Sequence, residues 1–211
     1  QAGDLAFIHI PWVLWLGLVT LLLAALGVMA SRTLREQVAY LVLASVSMLL
    51  IGIGINSVEA MSATLFYLIH STLIAGAMFL LADWIRQGRG DVEDAFVRAH
   101  AMPKAILVGS LFMVGAIAMT GLPPLSGFIG KLLILSSAIT RPDFFWILGV
   151  VLVSGLFMII AMARAGSLLF YNVLPEEKCH TIDGKEVCET PKDLPLKGAA
   201  SVIGLLSVAI I

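Results

Sequence analysis

Charge is what this sequence has least of. Lysine, arginine, aspartate and glutamate make up 13 % of its 211 residues against 60 % hydrophobic ones, and the mean hydropathy is +1.02. So little polar surface cannot cover a soluble domain, which excludes one and calls for a lipid bilayer as solvent. The net charge of −1 excludes the basic field of a nucleic-acid binder. Cysteine is nearly missing too. Cys179 and Cys188 are the pair, too few for a disulfide scaffold, and with His180 they fall one ligand short of a zinc site. No nucleophile–base pair, phosphate-binding loop or redox-cofactor motif is present, so the chain reads as no enzyme in its own right, with no cofactor and no metal. The first apolar run lacks a basic leader and a small-residue cleavage site, so no signal peptide is expected. With Gln1 at its start and Ile211 inside an apolar run, the sequence is expected to be an interior or C-terminal piece of a larger protein.

Long apolar runs are what it does have. About twenty apolar residues cross a hydrocarbon core of about 30 Å. On that ruler the fold class is all-α: one polytopic transmembrane helix bundle over 1–211, with spans near 10–30, 37–55, 60–85, 105–139, 144–171 and 197–211. The fourth run is anomalous. As one straight helix at about 1.5 Å per residue it would reach about 52 Å, so it must be broken, strongly tilted, or two passes. Lysine and arginine in the short loops decide. A single broken crossing puts Arg32, Arg35, Arg86, Arg89, Arg98, Lys104, Lys178, Lys185 and Lys192 on one face, leaving Arg141 alone on the other. The basic face is expected in the cytoplasm, with the hydrophilic segment 86–104 on that side and part of it an amphipathic surface helix.

The break falls in TGLPPLSGFIGK, residues 120–131. Pro123 and Pro124 carry no N–H, so the carbonyls of Met119 and Thr120 lose their helical partners. In hydrocarbon each orphan costs several kcal/mol unless protein, hydroxyls or water replace the lost bond. Thr120 and Ser126 flank the break and can supply some of them. Gly121, Gly127 and Gly130 let another helix come close. A packing kink would need nothing more, but Lys131 follows. A lysine at mid-depth costs about 2.5–3.5 kcal/mol even on lenient scales, and its stem is too short to snorkel out. It should therefore face the bundle interior, either as a titratable group on an ion pathway or as a structural cap for the freed carbonyls.

A second polar stripe lies one span earlier. Tyr67, His70, Ser71 and Ile74 share one helix face, with Thr72 near its edge. Histidine exchanges protons near neutral pH, which suits a relay; a histidine bonded to a neighbouring helix is the plainer alternative. Glu59, Asp83, Arg86 and Arg164 lie near span ends and read as structural.

TGLPPLSGFIGK resembles the broken-helix signature of the antiporter-like membrane subunits, found in multisubunit Mrp/Pha monovalent cation/proton antiporters and in respiratory complex I. LREQVAY (34–40) and LFYLIHSTLIAGAMFLLAD (65–83) are similar to two further helices of that family, in the same order. The likeness runs over about residues 10–170, the second half of such a subunit, and HSTLIAGAMF is closer to the D subunit of Mrp/Pha systems than to a complex I subunit. The resemblance implies a proton-conducting bundle in the cell (inner) membrane, other antiporter subunits as partners, and protons with Na⁺ or K⁺ as cargo. Its broken-helix lysine falls on Lys131 and its relay histidine on His70. Two departures stand out: Ala75 occupies a position commonly lysine, and Leu41 and Val42 replace expected serines. A complex I or hydrogenase proton-pump subunit and a non-transporting scaffold are the alternatives.

The extramembrane stretch 172–196 contains a candidate hairpin. Asp183-Gly184 is a two-residue turn signal, and counting outward sets Ile182 opposite Lys185, Thr181 opposite Glu186, His180 opposite Val187 and Cys179 opposite Cys188. That spacing suits a disulfide, whereas a cytoplasmic loop favours free thiols; reduced thiols are expected.

Overall fold

In a computed structural model of the protein, residues 2–99, 102, 104–171, 180–182, 185–187 and 196–210 are described. The chain is a helical bundle. Helices α1 (Ala2–Ala30) and α2 (Leu34–Ile55) pack side by side around a three-residue turn. The turn is built by a capping box. The Thr33 hydroxyl accepts the Glu36 N–H at 3.2 Å, while the Glu36 carboxylate accepts the N–H groups of Thr33 and Arg32. At its far end α2 stops on Asn56, which adopts the left-handed conformation (φ 55°, ψ 46°) and returns its N–H to Ile53 O. Ser57 then caps α3 (Val58–Arg89) by accepting the Ala60 N–H at 3.0 Å. Arg141 reaches across to the last carbonyl of α2, donating to Ile55 O at 3.2 Å.

Helix α3 is the axis of the bundle. It packs against α2, α4 (Ala105–Thr120), α5 (Ser126–Ser137) and α7 (Leu196–Ile210), while α6 (Phe144–Gly166) lies against α1 and α4. Among the described residues, four segments are long and apolar enough to cross a membrane: His9–Ala30, Leu34–Ile55, Val58–Arg89 and Phe144–Tyr171, the last ending in π-helical turns at Ser167–Tyr171. Shorter apolar helices complete the bundle. The fourth apolar run is discontinuous at Pro123-Pro124, as its sequence predicts.

At the basic end the sequence expectation of a surface helix fails. After Arg89 there is one 3₁₀ turn, Gly90–Val92, and the chain then folds back irregularly onto the α1–α2 corner. The cause is a set of local bonds that compete with a helix. Arg89 donates to the carbonyls of Ala95 and Val97 at 2.6 and 2.7 Å. The N–H of Phe96 reaches Arg32 O, and the N–H of Leu34 reaches Asp94 O. The Asp94 carboxylate, 1 % exposed, takes the backbone N–H of Arg35 at 2.8 Å and its guanidinium at 2.9–3.1 Å. Burial alone would push the Asp94 carboxyl up, but the hydrogen bonds and charge of Arg35 outweigh it and hold the carboxyl below its ordinary value.

Strands β1 (His180–Ile182) and β2 (Lys185–Val187) pair antiparallel, His180 with Val187, Thr181 with Glu186 and Ile182 with Lys185. This is the register obtained by counting outward from Asp183-Gly184. Cys179 and Cys188, and the question of their bond, lie outside the described residues.

Candidate functional site at the helix break

The 16 residues of α4 and the 12 of α5 span about 24 and 18 Å at 1.5 Å per residue. Neither is long enough to cross a core of about 30 Å alone; their summed length is. α4 ends in a Schellman motif. Gly121 donates its N–H to the carbonyls of Ile117 and Ala118, and Leu122 donates to Ile117 O at 3.1 Å. The left-handed backbone at Gly121 (φ 72°, ψ 49°) is one that a residue with a Cβ adopts only with strain. Pro123 and Pro124, joined by a cis peptide bond, occupy the connection.

The carbonyl of Thr120, orphaned by the prolines, is answered by Lys131. The amine donates to it at 2.7 Å from the second turn of α5. The Thr120 hydroxyl does not serve the break. It turns back into α4, donating to Ala116 O at 2.7 Å.

His70 is 5 % exposed and sits where α3, α4, α5 and α7 meet. Its Nε2 lies 3.3 Å from Ala118 O, and its Nδ1 lies 2.9 Å from both Ala209 O of α7 and the Ser126 hydroxyl. Ser126 in turn lies 2.6 Å from Ala209 O. Gly127 makes this meeting sterically possible. A Cβ there would stand 2.5 Å from His70 Nε2 and 2.7 Å from Ala118 O, closer than real Cβ atoms come. One turn before His70, the buried Tyr67 ring lies 6.3 Å away, centroid to centroid, and its hydroxyl donates to Ser45 Oγ at 3.4 Å.

Of the residues predicted for the site, His70, Ser126, Lys131, Thr120 and Tyr67 gather around the end of α4 together with Gly121, Gly127, Pro123 and Pro124. Two of them do not. Thr72 is exposed on the outer side of α3, about 200° from His70 at 100° per residue, and its hydroxyl bonds Leu68 O of its own helix at 2.8 Å. Ser71 is buried, yet its hydroxyl also bonds Leu68 O, at 3.1 Å. Ala75, where the family pattern commonly has lysine, packs partly buried against the apolar core. Sequence reasoning missed Ser45 and the carbonyls of Ala118 and Ala209. Backbone acceptors leave no residue-type signal, and Ser45 is one of the two serines of α2, Ser45 and Ser47.

The electrostatics of the site are unusual for two basic groups. Among the described residues, the ion pairs join Arg35 to Asp94 and Glu93, Arg86 to Asp83, and Arg141 to Asp143. None reaches His70 or Lys131. Their counter-charge is the end of α4, where unpaired carbonyls concentrate about half a negative charge. A crevice of about 100 Å³ opens on the other side of α4, lined by Met113, Ala116, Ile117, Leu122 and Met162 with Thr120 at its edge.

Sequence relatives place this bundle. The D component of the Na(+)/H(+) antiporter of Bacillus subtilis (strain 168) is 30 % identical over 193 residues, 90 % of this chain and 35 % of that protein. The D component of a probable K(+)/H(+) antiporter of Rhizobium meliloti (strain 1021) is 31 % identical over 189 residues, 76 % of this chain and 35 % of that protein. The chain thus spans about a third of the length of these relatives. The fold recurs in the Mrp complex from Dietzia sp. DQ12-45-1b, with a TM-score of 0.68 at 23 % identity over 93 % of this chain and 43 % of that one. It recurs again in respiratory complex I from Thermus thermophilus, with a TM-score of 0.77 at 22 % identity over 96 % of this chain and 40 % of that one. The family described as NADH:quinone oxidoreductase/Mrp antiporter, TM, matches residues 5–158; the chain is a multi-pass membrane protein and belongs to that family.

Proposed function

We propose that the chain is a proton-conducting part of one component of a multisubunit Na⁺(K⁺)/H⁺ antiporter, a transporter component and not an enzyme in its own right. It forms one transmembrane bundle in the cell membrane, with segment 86–104 on the cytoplasmic side and 172–196 as an extramembrane loop. Lys131 and His70 exchange a proton through water held at the helix break. The change of charge there is coupled to export of Na⁺ or K⁺ by the assembled complex. The relatives named as D components of Na⁺/H⁺ and K⁺/H⁺ antiporters support this reading.

The observation that carries it is the partner of Lys131, a backbone carbonyl at 2.7 Å in place of a carboxylate. A carbonyl accepts from NH₃⁺ and, more weakly, from NH₂, so the amine has a partner for either charge state. Broken helices whose ends face ions are the standard construction of ion and proton sites inside membranes. In vesicles bearing the full-length subunit in its complex, Lys131→Ala is expected to reduce cation/proton exchange to background while assembly persists. Exchange retained at the wild-type rate would overturn the assignment.

A further inference from the structure

His70 is held by a pattern of bonds that one proton cannot satisfy. Both of its ring nitrogens face backbone carbonyls, Ala118 O at 3.3 Å and Ala209 O at 2.9 Å. Carbonyl oxygens only accept, and a neutral imidazole carries a single N–H. In the neutral ring one nitrogen therefore presents a bare lone pair to an oxygen, unless another donor fills the gap. Ser126 is placed to be that donor. Its hydroxyl lies 2.9 Å from Nδ1 and 2.6 Å from Ala209 O, so one O–H has two acceptors and serves one at a time.

We propose that the Ser126 hydroxyl is a two-position switch that fixes which nitrogen of neutral His70 carries the proton and clears the other nitrogen for a second one. With His70 neutral, Nε2–H donates to Ala118 O and the Ser126 O–H donates to Nδ1. When a proton adds to Nδ1, the new N–H bond displaces the Ser126 hydrogen bond. Nδ1–H then donates to Ala209 O, and the Ser126 O–H rotates onto the same oxygen, whose two lone pairs take both. One proton is gained, no covalent bond is broken, and every donor has an acceptor in both states. Without the hydroxyl, the shorter contact wins: neutral His70 places its hydrogen on Nδ1, toward Ala209 O, and turns a bare Nε2 toward Ala118 O.

The groups around the ring leave this hydroxyl as the selector. α3 contributes the Tyr67 ring, whose hydroxyl is committed to Ser45. α5 contributes Lys131, committed to Thr120 O, and α4 and α7 contribute carbonyls. Among the described residues no carboxylate pairs with His70. Ser126 acts here as a positioning residue, and the switch rests on the reading of His70 as a member of a proton route.

The test is ¹⁵N magnetic resonance of histidine-labelled full-length subunit in its assembled complex, at alkaline pH, with the His70 signal assigned by its disappearance in His70→Gln. The protonated nitrogen is expected to be Nε2 in the wild type, Nδ1 in Ser126→Ala, and Nε2 again in Ser126→Thr. A wild type protonated on Nδ1, or an unchanged tautomer in Ser126→Ala, would refute the switch. If the alanine variant fails to assemble, Ser126→Cys replaces it: a thiol is a poor donor, so the hydrogen is expected on Nδ1, and retention on Nε2 counts against the proposal. Failure of the transport reading shows elsewhere, as exchange surviving in Lys131→Ala, and leaves the tautomer result standing.

Discussion

The molecule holds its polar groups in two opposite ways. At the corner of α1, α2 and the 90–99 loop, Arg35 meets Asp94 through Nε and Nη2 in a pair of full charges, and the same Nη2 also meets Glu93. At the break between α4 and α5, Lys131 and His70 meet only neutral oxygens. An ion pair stabilises one protonation state of both partners, because a buried charge left alone is costly. A carbonyl carries only a partial negative charge, so its preference for the charged form is weaker. The corner is thus built to stay as it is, and the bonds at the break do not depend on a partner of opposite charge, as the proposed proton route requires. Both regions use the same residue chemistry; the difference lies in whether a carboxylate is within reach.

Crowding the break should give the largest effect. Gly127→Val puts branched carbon where a Cβ alone would already stand 2.5 Å from His70 Nε2. The obstacle is a ring wedged among four helices and a backbone oxygen, neither of which can step aside cheaply. Overpacking of this kind costs about 3 kcal/mol. Denaturation of the purified full-length subunit should show that loss, together with loss of exchange. A variant of wild-type stability would mean that α5 has room to move off α3, and that the site is looser than its distances imply.

Much of this fold and part of the site can be read without coordinates, and the reasons are specific. Apolar run length predicts a helical bundle, and two prolines in hydrocarbon predict a break there. The stripe Tyr67, His70, Ser71, Ile74 does face inward, since a period of 3.6 carries over to any helix. Thr72 misleads because it adjoins the stripe in the chain while lying on the far side of the cylinder. The partners of His70 are illegible for another reason. Ala118 and Ala209 act through their carbonyls, which every residue owns. The corner is equally hidden: RQGRGDVEDAFVRAH has the composition of a surface helix, and only the placement of Arg32, Leu34 and Arg35 draws its backbone away from one.

The corner predicts a smaller loss with a different signature. Asp94→Ala leaves the Arg35 backbone N–H without its acceptor and the guanidinium with Glu93 alone, and hydrogen bonds to charged groups of this sort are worth about 2 kcal/mol in sum. Exchange should persist once the subunit is assembled, since the pair touches neither Lys131 nor His70. The pH dependence has a definite sign. The Asp94 carboxyl is held below its ordinary value of 3.8, so its contribution is complete above that value and is lost as pH falls toward and through the lower folded one. Asp94→Asn should therefore flatten the acid limb of the stability curve and leave the neutral region parallel to wild type. An acid limb unchanged by the substitution would mean that other carboxylates govern it.

The smallest effect separates position in the sequence from position in space. Thr72 adjoins the stripe of His70, and a reading by neighbourhood alone puts it on the proton route. Its exposed place and its bond to Leu68 O set it apart from the groups around His70. Thr72→Val keeps the shape of the side chain and removes the hydroxyl, which at this position gives up only a bond within its own turn. The bond's loss is offset by the better match of a methyl group to lipid, so stability should stay within about 0.5 kcal/mol of wild type. The rate of exchange and its pH profile should coincide with those of the wild type in the same vesicles. A slowed or pH-shifted exchange would place a working hydroxyl on the outer side of α3, where water would then have to reach it from beyond this bundle.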